Sequence, residues 1–424
     1  MIRKLKIILV CVSASLATHT QFGKSYLPHG EEVRFSYTAE FITSSEDNRD
    51  ALAEFHITHL FGVFQSPEYS EKYDIDTQYA EGFGALKLPI GPMWANESVT
   101  DNGKRKIRYT ANGLMLLHNK VAETALQAKH FKVHLPYDLD AAYKEYCTDP
   151  KYTAPDQYWY FNNLYREGCT DFQAMPHSQE VNIHIFSTRN HLDGLDPRFD
   201  LLRGDNDNGD LFSIYIIHGF DESTSRRDNG RRNFNALTKY LKRNGFKKQV
   251  ERRHFRRPYY IFTDSLELDD ASVIKVEIHS VLVDTDIETR GTTFAEFLQK
   301  AFNEADVLVY MGHSGMGGNL DIPTLEDEVG RFSFNKNKQQ IFFFNTCFSY
   351  SHYLAPFERL KSNKKLAVLT NGLAKLFATS SPVLEKFLEA LLDPKVEDHT
   401  WQEILESMEA PLDGGSYLLN VSGL

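Results

Sequence analysis

The chain has 424 residues, enough for two or three domains at ~150 residues each. With 25% charged and 42% hydrophobic residues it has the make-up of a folded protein, which excludes wholesale disorder. A net charge of −11 argues against a protein that coats nucleic acid along its length. The four cysteines (Cys11, Cys147, Cys169 and Cys347) are too few for a disulfide-knit scaffold, or for a four-cysteine zinc site once the first is lost.

The chain starts with a basic stretch, Met1 to Lys6, followed by the apolar run Ile7 to Ala17 with small residues at Ser15 and Ala17. This pattern predicts a secretory signal peptide over 1–17, and hence an exported protein, periplasmic or extracellular. The apolar run is shorter than the ~20 residues a membrane span needs, and no longer one follows, so no transmembrane segment is expected in the mature chain. An oxidising compartment favours a disulfide between Cys147 and Cys169, 22 positions apart, worth ~3 kcal/mol through restriction of the unfolded chain. Cys347 is then left over, as a reactive thiol, an intermolecular bridge or an inert buried residue.

Residues 26–170 read as an α+β accessory domain. Glu32 to Ile42, Lys104 to Thr110 and Phe131 to Leu135 alternate as half-buried strands, while Leu52, Phe55, Leu60 and Phe64 recur at roughly helical intervals. Residues 171–210 read as a linker holding one short strand, Val181 to Phe186. Its run Asp205 to Asp210 hints at a calcium loop, but the glycine falls one position early and no glutamate stands at the twelfth position, which favours a polar turn.

From 211 the pattern becomes regular and predicts an α/β domain over 211–395, with a C-terminal extension over 396–424. Strands are predicted at Leu211 to Ile217, Val273 to Leu282, Val307 to Tyr310, Ile341 to Phe344 and Leu366 to Leu369. Between and after them lie helices at Phe234 to Leu241, at Thr293 to Phe302 capped by Thr292, and at Ser381 to Leu392. Continuous apolar strands alternating with helices predict a mostly parallel sheet with helices on both faces.

Ligands of such sheets gather beyond the carboxyl ends of the strands. The third strand runs into Gly312-His313-Ser314-Gly315, the fourth into Asn345-Thr346-Cys347. If these strands are neighbours, an imidazole and a thiol share one edge, and imidazole is the commonest base for activating a thiol. A strand ending in His and Gly, followed some tens of residues later by an apolar strand ending in Cys, resembles the caspase–gingipain–legumain superfamily of cysteine peptidases, over 211–395. The resemblance implies a caspase-haemoglobinase fold, with Cys347 as nucleophile, His313 as general base and acid, and the backbone N–H groups of Gly315 and Cys347 as oxyanion donors. It implies a protein or peptide substrate and neither metal nor cofactor. Two features depart from the family pattern: Ser314 separates His313 from Gly315, and Asn345-Thr346 stand before the cysteine where a small residue is common.

Other readings of the same residues stay open. The fold could serve as an inactive binding or structural module of the cell envelope. Ser314 could be the nucleophile of a serine hydrolase, with His399 and an acid, although Met316 stands where that motif needs glycine. His218, His279, His313 and His352 could hold zinc but lack ligand spacing. Finally, residues 226–257 carry thirteen Lys or Arg against two acids. They form a solvated face, a site for an anionic partner, or a surface docked on the protein's own acids. Export makes nucleic acid the less fitting partner.

Overall fold

The structure is a computed structural model. It describes residues 25–423 except 77, 79, 81, 143–162, 168, 170–172, 174–175, 189–196, 198, 200–201, 203–210, 222–226, 251–257, 270, 362–364 and 396–398. The signal-peptide segment, Cys147 and the Asp205 to Asp210 run therefore lie outside the described residues.

The first half builds a six-stranded sheet. A short strand, β1 (Ser25–Tyr26), precedes β2 (Gly30–Thr43), and three helices follow: α1 (Arg49–Thr58), α2 (Leu60–Phe64) and α3 (Pro67–Glu71). Next come β3 (Gly84–Leu86), β4 (Pro92–Val99), β5 (Arg105–His118), α4 (Asn119–Ala128), β6 (His130–Pro136), α5 (Leu139–Ala142) and β7 (Ser178–Ser187). The strands are antiparallel in the order β3-β5-β2-β7-β6, with β4 also on β5. The strand predicted inside the 171–210 linker is thus a member of this sheet. β2 and β5 pair along fourteen residues, and their inward residues, among them Phe35, Tyr37, Phe41, Ile107 and Tyr109, form one core with α1 and α2. β3 and β4 had no clear signal in the sequence, being short or mostly solvent-facing.

The second half contains β8 (Leu211–Gly219), α6 (Asn229–Arg243), β9 (Lys247–Val250), β10 (Tyr259–Glu267), β11 (Val273–Val283), α7 (Thr292–Glu304), β12 (Val307–Met311) and α8 (Ile322–Val329). It continues with β13 (Gln340–Phe344), α9 (Ala355–Glu358), β14 (Leu366–Asn371), α10 (Phe377–Leu391), α11 (Trp401–Glu409) and β15 (Leu419–Ser422). The nine-stranded sheet runs β1-β15-β14-β13-β12-β8-β11-β10-β9. The expected mostly parallel sheet is corrected to a mixed one. The five strands from β14 through β13, β12 and β8 to β11 pair in parallel, while β15 with β1 at one edge and β10 with β9 at the other add antiparallel strands. Strands β12, β13 and β14 are buried along their whole length, as a parallel sheet covered on both faces requires.

Local rules set the helix starts. Asp228 caps α6, its carboxylate accepting from Arg231 N–H at 2.7 Å. Thr292, expected as a cap, is instead the first residue of α7; Gly291 holds the cap position, and the Thr292 hydroxyl bonds Glu296 at 2.8 Å. The two halves share one body. Phe348, from the loop after β13, sits in the core of the first sheet, while Leu27, Ala85 and Leu116 from the first half join the core of the second.

Candidate active site

The register of the central strands positions the site. β12 lies between β8 and β13, with Met311 opposite His218 and Tyr310 opposite Phe344. β8 pairs with β11, the next parallel strand in sequence, on one side and with the later β12 on the other. The strand order therefore reverses at β8, and the crevice beyond its carboxyl end is where open α/β sheets bind ligands. His313 and Asp221 flank that crevice, and Cys347 lies one strand further along.

Hydrogen bonds fix the backbone of the His313 loop. The His313 carbonyl accepts from the Tyr310 hydroxyl at 2.6 Å and from Asn319 Nδ2 at 3.1 Å. The Ser314 carbonyl accepts from the Tyr353 hydroxyl. Gly315, Met316 and Gly317 follow in the left-handed region, with φ of 55°, 50° and 95°. At Gly315 a side chain is barred twice over, because an added Cβ would stand 2.5 Å from Asn319 Oδ1. The strain at Met316, a non-glycine, is the kind that concentrates at functional sites.

The imidazole of His313 projects from this loop with 47% of its side chain exposed. Its Nε2 lies 2.8 Å from the Asp221 carbonyl and 3.0 Å from the Asp221 carboxylate. A carbonyl only accepts, so Nε2 carries the proton and Nδ1 is left as the basic nitrogen. Asp221 is held in turn by Asp228, whose carboxylate accepts the Asp221 N–H at 2.8 Å, and by the side-chain amide of Asn229. The α6 cap and the histidine's partner thus belong to one network.

Cys347 is a free, half-buried thiol. Thr346 before it donates its hydroxyl to the Gly312 carbonyl at 2.7 Å and ties the two strand-end loops together. Phe348 after it has a φ of 49°, a sharp turn at the cysteine, and its ring meets Phe61 of α2 edge-on at 6.1 Å. Asn345 is held as well: its side-chain oxygen accepts from Asn371 Nδ2 at 3.4 Å, and its backbone N–H donates to the Tyr310 carbonyl at 2.9 Å. Among the described residues the backbone amides of Gly315 and Cys347 donate to no acceptor.

His313 and Cys347 do not hydrogen-bond to each other. The ring of Phe377 and the chain at Lys375 lie beside them. Phe377 meets the His313 ring at 4.9 Å, and Lys375 N–H points to Cys347 Sγ at 3.5 Å. Lys375 itself is buried, and burial brings its ammonium down to about 7. Asp221 and Lys375 were missed in the sequence. The first could have been sought after the His218-Gly219-Phe220 strand end; the second follows the fifth parallel strand with no motif to mark it.

The remaining candidates separate from this centre. Ser314 is only 7% exposed, and His399 Nε2 lies 3.2 Å from the Asp393 carboxylate. His218 is enclosed and held neutral, with a pKa of about 3, by burial. His279 bonds the Tyr259 hydroxyl, and His352 stacks on Phe61. Among the described residues no group of three or more His, Cys, Asp or Glu is placed to hold a metal ion. Cys169 is fully buried. In the basic segment Arg243 of α6 lies within electrostatic reach of Glu385 on α10, so part of that charge faces the protein's own acids. No described helix is long and apolar enough to cross a membrane. No protein-family model and no curated protein matches this chain, so its chemistry rests on the geometry of these residues.

Proposed function

We propose that the protein is an exported cysteine peptidase of the caspase-like kind, acting through Cys347 and His313. The observation that carries this reading is the pairing of two strand ends: a free thiol after β13, and after the adjacent parallel β12 an imidazole whose Nε2 proton is committed to Asp221. His313 Nδ1 takes the thiol proton as Sγ bonds the carbonyl carbon of the substrate, and the carbonyl π electrons move to oxygen. The Gly315 and Cys347 N–H groups donate to that oxyanion. As the C–N bond breaks, the imidazolium returns its proton to the leaving amine, and a thioester remains. Water, losing a proton to the same imidazole, attacks the thioester; the carboxylic acid leaves and the thiol is regenerated. None of these steps calls for a metal or cofactor.

The test is labelling by a peptide carrying a thiol-directed electrophile, comparing wild type with Cys347→Ala and His313→Ala. Labelling of wild type alone is expected; equal labelling of all three would sink the assignment. A second reading, a non-catalytic module, draws on the packing of the Cys347 loop against the first sheet's core and on the missing His313–Cys347 hydrogen bond. A wild type that ignores the probe, with its thiol intact, would favour it.

A further inference from the structure

The sulfur of Cys347 has a polar neighbour that the chemistry above leaves unused. Lys375 wraps it from the chain beyond β14: its N–H points to Sγ at 3.5 Å, and the thiol points to its carbonyl at 3.7 Å. The lysine side chain then turns inward, and the residue is only 6% exposed. Its Nζ donates to the Ser380 hydroxyl at 2.6 Å and lies 5.5 Å from the centre of the Phe377 ring, whose other neighbour is the His313 imidazole.

An ammonium has three N–H donors and a full charge, and a neutral hydroxyl answers only part of that. Of the other two deeply buried lysines among the described residues, Lys361, 4% exposed, donates to the Lys338 carbonyl at 2.8 Å, and the second meets a carboxylate. Lys338, 1% exposed, is matched by the carboxylate of Asp306. Among the described residues no carboxylate pairs with Lys375. Around it stand His218, kept neutral by burial, and His313 beyond the Phe377 ring; Tyr353 and Tyr417 face Cys347, with burial raising both phenols. With burial raising both phenols, the thiol is the group of this set left to face the lysine as an anion.

We infer that Lys375 is the counter-cation of Cys347: its ammonium stabilises the thiolate left when the thiol loses its proton, and so holds the sulfur in its nucleophilic state. Burial lowers the lysine toward neutrality, and the charge on Cys347 pulls it back up, as a coupled pair requires. Lys375 acts through the sulfur and is a positioning residue. The inference rests on the peptidase reading only for its biological use, since the pair is a property of the two side chains.

The experiment is alkylation of Cys347 by iodoacetamide across pH 5 to 10, followed by mass spectrometry of its peptide, in wild type, Lys375→Met and Lys375→Arg. In Lys375→Met the pH of half-maximal rate should rise by about one unit or more, with about a tenfold slower reaction at pH 7, and Lys375→Arg should recover part of the shift. An unchanged profile in Lys375→Met overturns the inference. Should that variant fail to fold, the reciprocal measurement remains, because linkage is symmetric. The Lys375 Nζ titration, followed by nitrogen NMR, should move down in Cys347→Ala, and an unmoved titration overturns the pair. Iodoacetamide needs neither a peptide site nor His313. A shifted profile in a protein that ignores peptide probes therefore supports the pair and removes the peptidase.

Discussion

At the scale of single residues, the site depends on how a few side chains are held. His313 is oriented by both the carbonyl and the carboxylate of Asp221, so Asp221→Ala removes one partner and keeps the other. On the proposed peptidase reading, kcat/KM on a peptide substrate should fall in that variant by at most about a hundredfold, less than the ~10²–10⁴-fold expected for His313→Ala. Gly315→Ala should cost about 1–2 kcal/mol for its left-handed backbone alone, and more for the contact with Asn319, read as a lower denaturant midpoint. The sequence made His313, Cys347 and Gly315 legible because strand-end motifs are local. Asp221 and Lys375 were not legible, since each matters only through a partner 92 or 28 positions away.

At the scale of elements, periodicity and capping did most of the positioning. The apolar runs marked β8, β12, β13 and β14 because strands buried on both faces have no polar alternation to blur them, whereas β11 alternates in its first half and is buried only in its second. The antiparallel edge strands were missed for the opposite reason: β4 is largely exposed, and β9 and β15 are four residues each. The α6 cap deserves a test of its own, since Asp228 serves the helix and Asp221 at once. Asp228→Ala should lower stability by about 0.5–2 kcal/mol in denaturant unfolding. It should also slow the His313-dependent reaction, while Asp228→Asn, which keeps the cap, should retain most of the stability.

At the scale of the whole molecule, one buried carboxylate links stability to pH. Glu409 ends α11 and accepts from the Ser416 hydroxyl at 2.8 Å and from Tyr417 and Leu419 N–H at 2.8 and 3.1 Å, shaping the turn that launches β15. Burial raises it from an ordinary carboxyl value to about 7, against those hydrogen bonds. The native state therefore holds a proton that the unfolded chain releases. The resulting stabilisation is complete below about pH 4.5 and is lost as pH rises through 7. The stability of wild type relative to Glu409→Gln should fall by on the order of 3 kcal/mol between pH 4.5 and 7.5. A difference that stays constant across this window in urea unfolding would refute the assignment.

The pairing of β1 with β15 has a further consequence for how the chain reaches this state. Residues 25–26 and 419–422 are neighbours in the sheet but lie almost the whole chain apart, and β15 also supplies the outer partner of β14. A ribosome that has delivered everything up to residue 400 has delivered a sheet with an open side and an N-terminal strand with nothing to join. Closure waits for the last segment, since non-local pairing forms only after both partners exist. The body therefore locks only when the last strand has been made.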